Sequence, residues 1–588
     1  MLWRNVPSRR AIAATLSVCA IVFLIHVVTV GPSAPTQIQH RFPSSRRLAQ
    51  PERQDAVKRE FLHAWTGYRD HAWMADGLRP LSGGRKQQFC GWSATLVDAL
   101  DSLIIMGLDD EFQEALNATL TVDFGGEDVV ENCDVNLFES TIRYLGGLMA
   151  AYDLSNDERI LPKLIELGDV LHSAFATPNG MPCTVCNLAT TTTKEAAETA
   201  ALADVGSLYL EFARLAQVTG DEKYMRTVDM LSGVFARSQN DSSIPGLWPE
   251  TVNPRLVDGP QGYDFARRSS RYGLGAMSDS AYEYLVKTHL LIGHTRSVFG
   301  TMWHLASRQI KRYLLFRALI PGANETDVVF PGIASRSLTG PGGSRSPQTL
   351  LETRTEHLAC FAGGMFAMAS RIFNNPEDLY VGEQITNGCV WAYQNSPSGI
   401  MPETLTLLPC SINDGRQCDW DDSYWAAESR QSGAGSGTPE EDCIDAYGDC
   451  QPSSRFPPGF LQVKDPSYKL RPEAVESVFV MWRVTGDEYW REVGWDMFQS
   501  IIEHTRSPFG HAALFSTMEV YQRDTYERGL MVRKVLARQM DDMESFWFAE
   551  TLKYFYLLFS DPSLISLDEW VLNTEAHPFR LTRGIRGF

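Results

Sequence analysis

The sequence runs to 588 residues, 44% hydrophobic and 21% charged, with a formal net charge of −19. That length can bury a large core, and it allows two to four domains or one large repeat fold. The acidic balance excludes nucleic acid, which requires a basic face, and suits a neutral ligand.

In chain order, "MLWRNVPSRR" precedes "AIAATLSVCAIVFLIHVVTV", twenty residues broken only by Thr, Ser and His26. That length spans a bilayer, whereas the apolar core of a signal peptide is usually shorter. Arg4, Arg9 and Arg10 favour a cytoplasmic N-terminus, with Arg41, Arg46 and Arg47 as a weaker opposing set. The expected layout is a cytoplasmic tail at 1–10, a signal anchor at 11–30, a flexible lumenal stem at 31–55 and a folded body at 56–588. A cleaved signal peptide is the alternative. Of eleven cysteines, Cys19 lies in the apolar span. The remaining even number suits disulfides in an oxidising lumen, with Cys183–Cys186 and Cys443–Cys450 as the local pairs. Asn117, Asn240 and Asn324 begin glycosylation acceptors consistent with that side of the membrane.

The body reads as helix hairpins. "LDSLIIMGLDDEFQEAL", "LMAAYDLSNDERILPKL", "FARLAQVTGDEKYMRTVDML" and "VMWRVTGDEYWREVGWDMF" each join an apolar helix to a second through a Gly or Asn break and an acidic cap. In the two "VTGDE" copies, Gly220 and Gly486 suit the left-handed residue that ends a helix, and Asp221 and Asp487 the cap of the next. "ALADVGSLYLEFARLAQ", "DSAYEYLVKTHLLIG", "EHLACFAGGMFAMASRIF", "RPEAVESVFVMWRV" and "MESFWFAETLKYFYLLF" are apolar nearly all round, so they are buried on every side. An inner ring of such helices inside an outer ring gives an all-α barrel with a central cavity. Strand patterns are scarce, and residues 431–459 read as a long loop.

"DVNLFESTIRYLGGLMAAYDLS" departs from the amphipathic rule. The face opposite its apolar stripe carries only Glu139 and Arg143 among Gly146, Gly147 and Ala150. A capping box from Asn136 with an i,i+4 ion pair accounts for Glu139, Pro472 at a helix start accounts for Glu473, and a cap accounts for Asp279. Capping does not explain why all three acids sit on helices with no watery face. Acids gathered in one cavity suit glycoside hydrolysis, in which one carboxyl protonates the leaving oxygen and a carboxylate activates water or attacks the sugar.

These segments, together with "GWSATLVDALDSLIIMGL", "GAMSDSAYEYL", "EHLACF", "LRPEAVESVFVMWRVTGD" and "LNTEAHP", resemble the class I α-1,2-mannosidases in family order from about residue 60 to 580. The resemblance implies an (α/α)7 barrel and removal of terminal α-1,2-mannose from high-mannose N-glycans, with inversion and bound calcium. It implies residence in the endoplasmic reticulum or Golgi membrane as a single-pass type II protein. Glu139 matches the usual general acid, Asp279 its competitor for that role, and Glu473 the general base. Arg143, Glu356, His357, Arg471, Glu476, Phe546, Glu550 and Glu575 match residues around the sugar and ion. Thr574 matches the calcium ligand, and Cys360 and Cys389 match a disulfide pair. Two neutral oxygens from Thr574 are too few for calcium, so waters and sugar hydroxyls complete its shell. An inverting site is expected to hold acid and base roughly 6.5–9.5 Å apart. Asp204 stands where the family commonly has Glu, and Met277 where it often has Arg or Leu. Met there implies looser branch preference and removal of several mannoses. A mannosidase-like quality-control factor that binds glycans with little catalysis is the alternative function, though such factors generally lack the Cys360–Cys389 pair.

Overall fold

The computed structural model describes residues 37–43, 48–125, 133–188, 194–257, 265–266, 269–293, 298–322, 327–337, 348–410, 418–431, 456–527 and 530–581. The expected anchor at 11–30, Asn324 and the Cys443–Cys450 pair lie outside them. No described helix is long and apolar enough to cross a membrane.

Seven helical segments face one another in sequence: 94–105, 137–155, 202–219, Asp279–Ile292, Phe361–Ile372, Glu473–Thr485 and 547–558. Each touches the next, and the last returns to the first, so the ring closes. Outside it lie Asp109–Thr119, Ile160–His172, Glu222–Ser238, Val298–Tyr313, Pro376–Asn395 and Tyr489–Thr505, each packed on the inner helix before it. The seventh outer position is filled from the other end of the chain, by Pro51–Ala72 against Leu552–Leu558. The hairpin turns follow the expected chemistry. Gly220 and Gly486 have φ of 73° and 74°, and Asp221 accepts the Lys223 N–H at 2.9 Å.

Two expectations need correction. The described part of the stem is docked: Ile38 is buried, the N–H groups of Ile38 and Gln39 reach Asp568 Oδ1 at 2.7 and 3.1 Å, and the His40 N–H reaches the Arg483 carbonyl at 2.7 Å. An extended segment held by backbone bonds carries no periodicity, so its sequence resembles a free linker. Strands are also more numerous than expected. They include three-stranded sheets formed by Arg271–Tyr272, Ile333–Ser337 and Gln348–Glu352, and by Arg354–Glu356, Thr404–Leu407 and Phe460–Asp465. Most are too short to show alternation.

One short hairpin matters most. Trp570–Leu572 pairs antiparallel with Pro578–Arg580, and Val571, Asn573, His577 and Phe579 are fully buried between the inner helices. Asn573 Oδ1 accepts the N–H groups of Glu575 and His577 at 2.9 and 2.8 Å, while its Nδ2 donates to the Ile142 carbonyl and to Glu211, each at 2.9 Å. This answers the question of the small-residue face. A methyl on Gly146 would lie 2.6 Å from Asn573 Nδ2, and one on Gly147 2.8 Å from the Val97 carbonyl. That helix has no side chain there because the hairpin and a neighbouring helix need the room.

Cys360 and Cys389 are bridged between buried positions, Cα to Cα 6.1 Å. Cys183–Cys186, Cys90–Cys133 and Cys410–Cys418 are also paired. Cys389→Ser is expected to cost about 2–4 kcal/mol in urea unfolding, and an unchanged midpoint would show the bridge to be idle.

Candidate active site

The ring encloses a cavity of about 220 Å³ whose floor is the turn of the C-terminal hairpin. Of the residues singled out in the sequence, Glu139, Arg143, Asp279, Arg471, Glu473, Glu476, Phe546, Glu550, Thr574 and Glu575 line it. Their positions in sequence span more than four hundred residues, and only the closed ring brings them together.

Glu473 opens its helix behind a tight approach. Leu470, with a side chain, takes φ of 64°, a conformation that costs on the order of 1–3 kcal/mol, and its carbonyl is held by Thr551 Oγ1 at 2.6 Å. His357 Nδ1 lies 2.9 Å from Glu473 Oε2, and His357 Nε2 lies 2.8 Å from the Tyr393 hydroxyl. Arg471 Nη1 stands 3.7 Å from the other oxygen of Glu473. Burial pushes the Glu473 carboxyl up, but the His357 hydrogen bond and the Arg471 charge outweigh it and hold it below its ordinary range. Asp279 is the opposite case. Burial, with the charges of Glu283 and Glu473 in the same direction, pushes its carboxyl up to about 7 against the hydrogen bonds from Ser280. Two carboxyls of one cavity are therefore displaced in opposite directions, Glu473 towards the ionised form and Asp279 towards the acid.

Asn136 does cap the helix, accepting the Glu139 N–H at 3.1 Å, so the capping account of Glu139 is half right. Its carboxylate does not return to the cap. It takes Nε and Nη2 of Arg143, each at 2.8 Å, and Arg143 Nη1 reaches Glu575 at 2.6 Å. The helix widens to a π turn over Ser140–Leu145, a form that recurs at functional sites. Phe546 lies under both cations, 5.7 Å from Arg143 and 5.9 Å from Arg471. Phe546 thus presents an apolar face to the cavity beside the two cations.

Two of the residues singled out in the sequence do not line the cavity. His357 is fully buried behind Glu473 and does not line the cavity. Glu356 also stands outside, where Oε2 accepts the Ala276 N–H at 3.2 Å and steadies the turn leading to Asp279. Asp204 does not reach the cavity either; its carboxylate accepts the Ala201 N–H at 3.3 Å, the reach of a short side chain. Met277 is 42% exposed near Ala276 at the cavity edge. Sequence reasoning missed Glu283, which lines the cavity, and Glu403, which holds Arg471 at 2.6 Å. Glu283 stood in plain view four residues from Asp279, on the same face of the same helix.

The cavity that Thr574 lines also carries the hard oxygen donors Glu283, Glu476, Glu550 and Glu575. Burial pushes the carboxyls of Glu476, Glu550 and Glu575 up, and neighbouring carboxylates add to it. Glu575 Oε2 is buried with no hydrogen-bond partner. Among the described residues, no three acidic, His or Cys side chains converge to hold an ion by themselves.

The chain matches the model of "Glycosyl hydrolase family 47" over residues 60–581. It is 32% identical over 571 residues to "Mannosyl-oligosaccharide alpha-1,2-mannosidase IA" of Spodoptera frugiperda, covering 94% of this chain and 68% of that one. It is 29% identical to the "Endoplasmic reticulum mannosyl-oligosaccharide 1,2-alpha-mannosidase" of Schizosaccharomyces pombe, covering 97% and 96% of the two chains. The structure superposes on "alpha-1,2-mannosidase from Trichoderma reesei" with TM-score 0.71 and 27% identity, covering 91% of this chain and 100% of that one. The closed helical ring, its acid-lined cavity and these similarities agree: the chain belongs to glycosyl hydrolase family 47.

Proposed function

We propose that this chain is an inverting α-1,2-mannosidase that removes terminal mannose from high-mannose N-glycans. The observation that carries the reading is the opposed pair, Asp279 held towards its acid form and Glu473 towards its carboxylate, in a cavity floored by a hairpin. A cavity with a floor admits a chain end rather than a chain middle, so cleavage is terminal. Asp279 gives its proton to the departing glycosidic oxygen. Glu473 takes a proton from water as that water attacks the anomeric carbon from the opposite face, and β-mannose leaves. His357 occupies one oxygen of Glu473 and leaves the other for the water.

The hard oxygens lining the cavity fit calcium: Thr574 would hold it through its hydroxyl and carbonyl, and Glu476, Glu550 and Glu575 would supply charge. When bound, the ion supplies a template for the hydroxyls of the terminal sugar. The bridged cysteines support an oxidising compartment, and residues 11–30 would anchor the chain as a type II protein of the endoplasmic reticulum or Golgi.

The test is digestion of a defined nine-mannose glycan by the full chain in detergent, with calcium or with excess chelator. Loss of several mannoses, first released as the β-anomer and only with calcium, is the expected result. A clean stop after one mannose would contradict the loose branch preference read from Met277. Binding without any release would favour the glycan-binding alternative. The pH dependence follows from the same pair. Asp279 must be protonated, so kcat/KM is expected to fall as pH rises through about 7. Glu473 must be ionised, so activity should persist below the ordinary carboxylate range before it falls. An alkaline limb several units higher would remove Asp279 as donor.

A further inference from the structure

Lys287 belongs to none of the motifs that point to the site, yet its ammonium is buried against the cavity floor, with the residue 4% exposed. It hydrogen-bonds Glu283 Oε1, lies 3.6 Å from Glu476 Oε1 and donates to the Asn573 carbonyl at 3.3 Å. Glu283 and Glu476 both line the cavity, and Asn573 immediately precedes Thr574. Glu476 is further held by the Tyr554 hydroxyl at 3.1 Å. A fixed cation thus sits against acid oxygens that a metal bound at Thr574 would otherwise attract.

We propose that Lys287 is a resident cation that keeps Glu283 and Glu476 out of direct metal coordination, so that the ion's shell stays open to sugar hydroxyls. This rests on the calcium reading given above. An ammonium can hold a carboxylate oxygen but cannot share it with a second cation at close range without repulsion. Without Lys287, both carboxylates are free to swing onto the ion and fill positions that substrate needs. The inference makes Lys287 a positioning residue, acting through Glu283 and Glu476.

The sign of the effect separates this role from simple support. If Lys287 only braced the floor, losing it would weaken calcium binding. If it restrains the carboxylates, losing it strengthens calcium binding and weakens sugar binding together; tighter calcium with unchanged sugar binding would reflect the lost charge alone and overturn the restraint. Removing one like charge near a divalent cation at an effective dielectric of about 20 changes affinity by roughly ten-fold or more.

The experiment titrates calcium calorimetrically into the metal-stripped full chain in detergent, then titrates α-1,2-mannobiose into the calcium-saturated protein. Lys287→Met and Lys287→Gln are expected to bind calcium roughly ten-fold tighter or more, and to bind mannobiose more weakly. Their calcium-induced rise in Tm should exceed that of the parent, while Lys287→Arg should match the parent. Lys287→Gln retains an amide donor and decides the matter if Lys287→Met does not fold. Unchanged or weaker calcium binding in the neutral variants, beside a parent that binds, would overturn the role of Lys287 alone. A parent that binds no calcium would defeat the metal reading and this inference with it.

Discussion

Glu473→Gln is expected to lower kcat by roughly 10²–10⁴-fold with the fold and the Tm little changed. The amide keeps the volume, and its oxygen can still face His357 Nδ1, which lies 2.9 Å from Glu473 Oε2. What disappears is the only proton acceptor the mechanism uses. Single-turnover measurement on the defined glycan separates this loss from slow product release. Near-normal turnover would show that the base lies elsewhere in the cavity. Asp279→Asn is expected to fall by a comparable factor for the complementary reason, since an amide cannot protonate the leaving oxygen.

The second large effect concerns stability. Lys553 and Asp101 are both fully buried, with Nζ 2.6 Å from Oδ2, and Lys553 also donates to the Ala576 carbonyl at 2.9 Å. His577 Nδ1 stands 3.0 Å from the same Asp101 oxygen, and the positive charges of Lys553 and His577 hold the Asp101 carboxyl below its ordinary range despite burial. Lys553→Met leaves Asp101 with a buried charge and one partner fewer. The expected cost is about 3–5 kcal/mol in urea unfolding, because breaking one side of a buried pair strands the other. Adding Asp101→Asn to Lys553→Met should recover part of it. A loss below about 1 kcal/mol would mean that water reaches the pair.

Much of this architecture is legible in the sequence because its rules are local. The "VTGDE" turns specify a left-handed stop and a cap within five residues. The inner helices betray themselves by having no watery side. Glu139, Asp279 and Glu473 draw notice for the same reason, as charges where a buried helix should have none. Their lack of a watery face suggests one shared cavity, the family resemblance implies their roles, and the closed ring brings all three to its lining. Pairings across long separations were not legible. His577 meets Asp101 476 residues away, and nothing in either neighbourhood announces it. Glu283 and Lys287 look like an ordinary i,i+4 pair, since spacing says nothing about which side of a barrel they face. His357 lies behind Glu473 and outside the cavity lining, which its motif does not announce.

The hairpin at Trp570–Arg580 also fixes an order of events. A chain leaves the ribosome from its N-terminus, so every barrel helix is made before Asn573, Thr574 and Glu575. Pro51–Ala72, the first of the described helices in the chain, finds its partner only when Leu552–Leu558 follows the other barrel helices. The ring therefore stays open on one side through nearly all of synthesis, and the floor of the cavity arrives after the walls. On the proposed roles, nascent protein would carry Asp279 and Glu473 before it has Thr574 and Glu575 to complete their cavity. Asn117 and Asn240 are exposed, and any glycan joined there would meet no completed cavity on its own growing chain. Trimming begins only after the hairpin has seated, so competence to cut reports that folding has finished.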